Sequence, residues 1–158
     1  VIDYRGLLRA LSDAGVEFII VGGAAATAHG SARLTQDLDI VYSRTAQNLE
    51  RLALALAPHE PYLRGAPQGL PFALDAATLT AGLNFTLTSK LGDIDLLGEI
   101  TGGGGYADLI EDTLEIELFG MTCRCIGLVK LIEVKRAAGP PKDLEAIAEL
   151  EVIRDRRS

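Results

Sequence analysis

Apolar residues recur along this chain in two alternating rhythms. In residues 3–14, Leu7, Leu8 and Leu11 fall at helical spacing, and Gly15 follows as a stop. Residues 16–21 (VEFIIV) form a short, nearly continuous apolar run, the pattern of a buried strand. Gly22-Gly23 ends it, and the small residues of 24–30 predict a short helix that can lie close to a sheet. After a polar connector at 31–36, DLDIVYS (37–43) predicts a second strand. Thr45 is placed to cap a helix carrying Leu49, Leu52 and Leu56 on one face, ended by Pro58 and Pro61.

The second half is richer in strands. The proline- and glycine-rich stretch 58–72 predicts a surface loop, and 75–80 a short helix or turn. Strands are predicted at 84–89 and 93–100, a flexible glycine loop at 102–105, and a short helix at 106–113. Residues 114–120 and 121–127 alternate as a hairpin around Gly120. Two helices complete the pattern. Residues 128–138 bury Leu128, Leu131, Ile132 and Val134, and 142–157 carry a stripe of Leu144, Ile147, Leu150 and Ile153. This order predicts an α/β fold, a mixed β-sheet flanked by helices with C-terminal helices, in one domain spanning 1–158.

Composition narrows the partners. A formal charge of −7 argues against a generally basic nucleic-acid surface, although Lys and Arg gather late, from Lys130 to Arg157. Cys123 and Cys125 alone make no disulfide framework and read as small apolar strand residues. No apolar run reaches membrane-spanning length and no charged-then-apolar signal segment is present, so a cytoplasmic protein with no membrane partner is expected.

The chemistry concentrates in carboxylates. A strand has period two, so Asp37 and Asp39 point to the same face, where two anions require a counter-charge. Asp95 lies between Ile94 and Leu96 in another apolar strand, and ionised groups are rarely placed so without a partner. Asp93 shares its face and is the alternative third carboxylate; Asp95 is preferred because both its neighbours are apolar. Three such aspartates on neighbouring strands would make an oxygen-rich pocket suited to Mg²⁺, with two ions able to hold both oxygens of a phosphoryl or nucleotidyl transfer. Gly22 and Gly23, between strand and helix, would let a backbone approach phosphate. Neither Gly-Lys-Ser/Thr nor Gly-x-Gly-x-x-Gly follows, so the pair belongs to no P-loop or dinucleotide fingerprint.

Gly22-Gly23, a spacer, Asp37-Leu38-Asp39-Ile40 and a later in-strand Asp95 resemble the DNA polymerase β-type nucleotidyltransferase superfamily. Within it, VGGAAATAHGSARLTQDLDI, GDIDLL and LVKLIEVKRAAGPPKDLEAIAELE resemble the AbiEii-like toxins of toxin–antitoxin systems. The resemblance implies Mg²⁺-dependent transfer of a nucleoside monophosphate from an NTP to an acceptor hydroxyl on RNA (tRNA included) or protein, with a cognate antitoxin as partner. It implies that Asp37, Asp39 and Asp95 bind metal, with Asp95 also helping to deprotonate the acceptor. Gly22 and Gly23 would hold the triphosphate, Lys135 would reach the phosphates, and Lys142 and Asp143 would complete a late motif. Arg33 and Thr35 match the polar link before the aspartates. Two other roles stay open: a nucleotide-binding partner without turnover, and an antitoxin-side enzyme that modifies its toxin.

Overall fold

A computed structural model of the chain describes residues 2–139 and 144–157. Its frame is a seven-stranded mixed sheet in the order β3 (Tyr62–Leu63), β4 (Asn84–Thr88), β5 (Asp93–Leu97), β2 (Asp37–Tyr42), β1 (Phe18–Val21), β9 (Met121–Ile126) and β8 (Thr113–Leu118). The central strands are β1 (Phe18–Val21), β2 (Asp37–Tyr42) and β5 (Asp93–Leu97). β1 runs antiparallel to β2, while β2 and β5 are parallel. β9 (Met121–Ile126) lies parallel to β1 and forms a hairpin with β8 (Thr113–Leu118). Its turn holds Phe119 and Gly120 at φ 53° and 79°, the left-handed pair that suits the twist of a two-residue hairpin.

The alternation in the sequence becomes two faces. On one, Leu38, Ile40, Ile94, Leu96, Phe85 and Leu87 are buried. Helix α1 (Tyr4–Asp13), capped by the Asp3 carboxylate on the Gly6 amide, lies against that face with Leu7, Leu8 and Leu11 inward. Helix α3 (Ala46–Leu56) packs beside α1 and begins at the Thr45 cap. The opposite face carries Asp37, Asp39, Asp93 and Asp95, and α6 (Leu128–Ala138) borders it, sharing a cavity with Val21, Asp39, Leu97 and Ile126. The uncovered part of this face, over β2, β5 and β4 (Asn84–Thr88), is where the carboxylates stand.

Several expectations are corrected. Gly22 and Gly23 do not precede the small-residue helix; they are its first two residues in α2 (Gly22–Ala28). The stretch 58–72 is more than a loop, because Tyr62–Leu63 form an edge strand, β3, on β4. A helix is present at α4 (Ala76–Ala81), capped by Asp75. The strand expected over 93–100 ends at Leu97, since Gly98 donates its N–H to Leu83 O at 3.0 Å and the Asn84 side chain at 2.8 Å, which turns the chain out of the sheet. Beyond it, β6 (Glu99–Ile100) pairs with β7 (Gly104–Gly105), so the glycine run is part of a small ribbon that leads into α5 (Tyr106–Leu109).

The final helix, α7 (Leu144–Arg157), buries Ile147 and Leu150, but Leu144 is 64% exposed. Arg136 pairs with Glu151 and ties α6 to α7. Lys142 and Asp143, with Pro140 and Pro141, lie outside the described residues. Among the described residues no helix is long and apolar enough to cross a membrane.

The buried groups outside the carboxylate face are structural. Cys123 and Cys125 are free, and burial pushes the Cys125 thiol up to about 12, which leaves it protonated and inert. Buried His29 sets its Nε2 2.7 Å from Ile126 O and its Nδ1 3.1 Å from the Arg157 guanidinium. Arginine can only donate, so Nδ1 accepts and the ring proton sits on Nε2.

Candidate active site

The site is set by strand register. In the parallel pair β2–β5, Asp37 stands opposite Asp93 and Asp39 opposite Asp95. Period two puts all four on one face, where ligand oxygens of Asp37, Asp39 and Asp95 lie within 4.8 Å of one another. The Thr35 hydroxyl donates to the main-chain oxygen of Asp37 at 3.2 Å and lies 3.4 Å from its carboxylate. The Tyr4 hydroxyl reaches the main-chain oxygens of Thr35 and Asp37, and its burial pushes its pKa up.

Asp39 is the deepest of the cluster. Its Oδ1 is buried without a hydrogen-bond partner. Burial, reinforced by the charges of Asp37 and Asp95 and opposed by Arg64, pushes its carboxyl from 3.8 up to about 7. Gly22 makes this depth possible. It adopts φ +63°, and a Cβ there would stand 2.2 Å from Asp39 Oδ2. A Cβ at Gly23 would stand 2.7 Å from the Thr35 hydroxyl. The glycine pair therefore admits the carboxylate and the threonine to the start of α2.

An orphaned buried oxygen, three converging carboxylates and no softer donor among them fit a hard divalent cation such as Mg²⁺. The raised pKa of Asp39 has a consequence for stability. Its folded-state value lies above its unfolded one, so the unfolded chain releases this proton first. The resulting stabilisation is complete below about pH 4 and is lost as pH rises through about 7. The gap between those values bounds the loss at roughly 4 kcal/mol. Metal-free protein is expected to show a falling denaturation midpoint from pH 5 to pH 8, and millimolar Mg²⁺ to flatten that slope. A midpoint that rises over this range in EDTA would refute the account.

Lys135, on α6, lines a cavity of about 160 Å³ with Val21, Gly22 and Asp39, and makes no ion pair with the described residues. Arg33 is not brought to the carboxylates. It pairs with Glu145 at 3.4 Å and Glu149 at 3.7 Å on α7. Lys130 pairs with Glu133 on its own helix.

The largest feature absent from the sequence reading is Arg64. From the end of β3 its guanidinium meets Asp95 at 2.8 Å, Asp93 at 3.2 Å and Asp37 at 3.9 Å. Three of the four carboxylates on this face thus already have a counter-charge from the chain, and Asp39 does not pair with it. A signal was present: Arg64 is the only charged residue between Glu60 and Asp75.

Known structures share this arrangement of helices and strands. ANT(2″)-Ia, solved in complex with adenylyl-2″-tobramycin, superposes with a TM-score of 0.54 at 15% identity, over 98% of this chain and 96% of that one. A Thermotoga maritima protein (TM1012) assigned as a nucleotidyltransferase superposes with a TM-score of 0.51 at 12% identity, over 96% and 88% of the two chains. This is the nucleotidyltransferase fold. The mixed sheet and flanking helices expected from the sequence are those of this fold. No protein-family model and no curated protein matches the sequence.

Proposed function

We propose that this chain is a Mg²⁺-dependent nucleotidyltransferase that moves a nucleoside monophosphate from an NTP to an acceptor hydroxyl on RNA or protein. The observation that carries this reading is the convergence of Asp37, Asp39 and Asp95 on one open sheet face, with a buried oxygen of Asp39 lacking any partner. When bound there, a divalent cation neutralises charge on the transferring phosphoryl group and lowers the barrier to attack by a hydroxyl. The chain's own residues supply the positioning. Gly22 and Gly23 offer bare backbone beside Asp39, and Lys135 sets a positive charge over the same cavity. Asp95, beside Asp39 in strand register on the open part of the face, is suited to take the acceptor's proton. Thr35 fixes the start of β2, and Lys142 and Asp143 belong to the same proposal.

The AbiEii-like role, toxin of a toxin–antitoxin pair with a cognate antitoxin, rests on the sequence resemblance. ANT(2″)-Ia carries adenylyl-2″-tobramycin, so a small-molecule hydroxyl is a third acceptor class to include in the test. The experiment incubates protein and Mg²⁺ with each labelled NTP and, separately, total RNA, cell protein and small polyols. Transfer to one pool is expected, and Asp39→Ala should abolish it. Growth arrest on induction that Asp39→Ala relieves would support the toxin role. Nucleotide binding without transfer to any pool would replace this reading with that of a binding partner.

A further inference from the structure

Two cations flank the acid cluster from opposite sides. Lys135 approaches from α6 over the β1 side, and Arg64 from the edge strand β3. Only Arg64 touches the carboxylates, and its three partners include Asp37 and Asp95, two of the three candidate metal ligands. We propose that Arg64 is an internal counter-ion that holds the metal seat until a polyphosphate draws its guanidinium away, so that cation and nucleotide enter together. The inference rests on the reading of Asp37, Asp39 and Asp95 as the metal site.

The geometry sets Arg64 and a divalent ion in competition. A divalent ion among Asp37, Asp39 and Asp95 would compete for carboxylates whose oxygens Arg64 meets at 2.8 and 3.9 Å, and would stand beside a like charge. A lysine would offer one point of charge. Arginine spreads its charge over a planar group: Nη2 donates to Asp95 at 2.8 Å and to Leu87 O at 2.7 Å, while Nε lies 3.2 Å from Asp93 as an ion pair without a hydrogen bond.

The hold is also reversible by construction. β3 is two residues long, and Arg64 adds one main-chain bond, its N–H to Thr86 O at 3.0 Å. Around it the Tyr62 ring stands edge-on to Phe72, and the Leu70 amide donates to the Tyr62 hydroxyl. Gly65 follows, with nothing within 4 Å of where its Cβ would be. The guanidinium is thus buried in charge but anchored at the sheet's weakest edge. A displaced arginine needs another anion that can accept paired N–H bonds, and the tetrahedral groups of a phosphate chain do so.

The test measures Mn²⁺ binding to metal-free protein by electron paramagnetic resonance, and binding of inorganic tripolyphosphate in the presence of Mg²⁺ by calorimetry. Arg64→Gln is expected to bind Mn²⁺ at least about tenfold tighter than the parent, and tripolyphosphate at least about fivefold more weakly. These opposite signs separate the proposal from a structural role, which would weaken both. Arg64→Lys keeps the charge without the fork and serves if the glutamine variant does not fold; its Mn²⁺ affinity should also exceed that of the parent. Unchanged or weaker Mn²⁺ binding in both arginine variants, with binding abolished by Asp39→Asn, would overturn the role of Arg64 and leave the metal site standing. Failure of every variant to bind Mn²⁺ would overturn both.

Discussion

Asp39→Asn is expected to abolish nucleotidyl transfer and at the same time to stabilise the metal-free fold above neutral pH. The two effects share one cause. Asp39 Oδ1 is buried without a partner, and burial with the charges of Asp37 and Asp95 drives the carboxyl up to about 7. At pH 8 the fold must hold that charge in a site that disfavours it. An amide has nearly the same shape and no charge, so it removes the cost and, with it, the deepest oxygen ligand for a cation. A loss of at least about 10³-fold in kcat/KM is expected, roughly 4 kcal/mol of transition-state stabilisation. The check is twofold: single-turnover transfer with the labelled NTP, and urea denaturation in EDTA at pH 8. A variant that is both inactive and less stable than the parent would mean that Asp39 serves the fold rather than a cation.

Gly22→Ala should be nearly as severe, through sterics. The position holds φ +63°, which alone costs an L-residue about 1 kcal/mol, and its Cβ would fall 2.2 Å from Asp39 Oδ2 and 3.0 Å from Cγ. The carboxylate must move or the start of α2 must shift, so destabilisation of about 2–4 kcal/mol is expected, with transfer reduced well beyond the loss of folded protein. Gly120→Ala is the control. It has φ +79°, but nothing lies within 4 Å of its Cβ. It should lose only the backbone term, about 1 kcal/mol, and keep its activity. Equal losses at both positions would show that Gly22 matters for its backbone angle and not for its approach to Asp39.

Legibility followed the physics of each signal. Asp37, Asp39 and Asp95 could be read because alternation along a strand is local, and a carboxylate between Ile94 and Leu96 breaks that pattern visibly. Which strand would lie beside β2 is a matter of topology, and only the register of Asp39 on Asp95 makes them one cluster. The long helices α3 and α6 were legible from their stripes and from the Thr45 cap. β3 escaped because two residues carry no period, and β7 because its residues are Gly104 and Gly105. Arg64 escaped for a related reason. It meets Asp95 across 31 residues of sequence from a segment with no rhythm, and long-range ion pairs leave no local trace. Arg33, which the resemblance places in the polar link before the aspartates, pairs with Glu145 and Glu149, partners more than a hundred residues away that its neighbourhood in sequence does not show.

The connector between α2 and β2 is held from far along the chain. The Ser31 hydroxyl donates to Glu149 at 2.5 Å and the Ala32 amide to the same carboxylate at 3.2 Å, and these residues are 118 and 117 apart. The strand before the glycines likewise takes β9 as its parallel neighbour. The acidic residues begin in the first quarter of the sequence and are completed by Asp95, yet the elements that support them come later still. A nascent chain therefore carries Asp37 and Asp39 long before β5, β9 and α7 are available to hold β1, β2 and the connector between them.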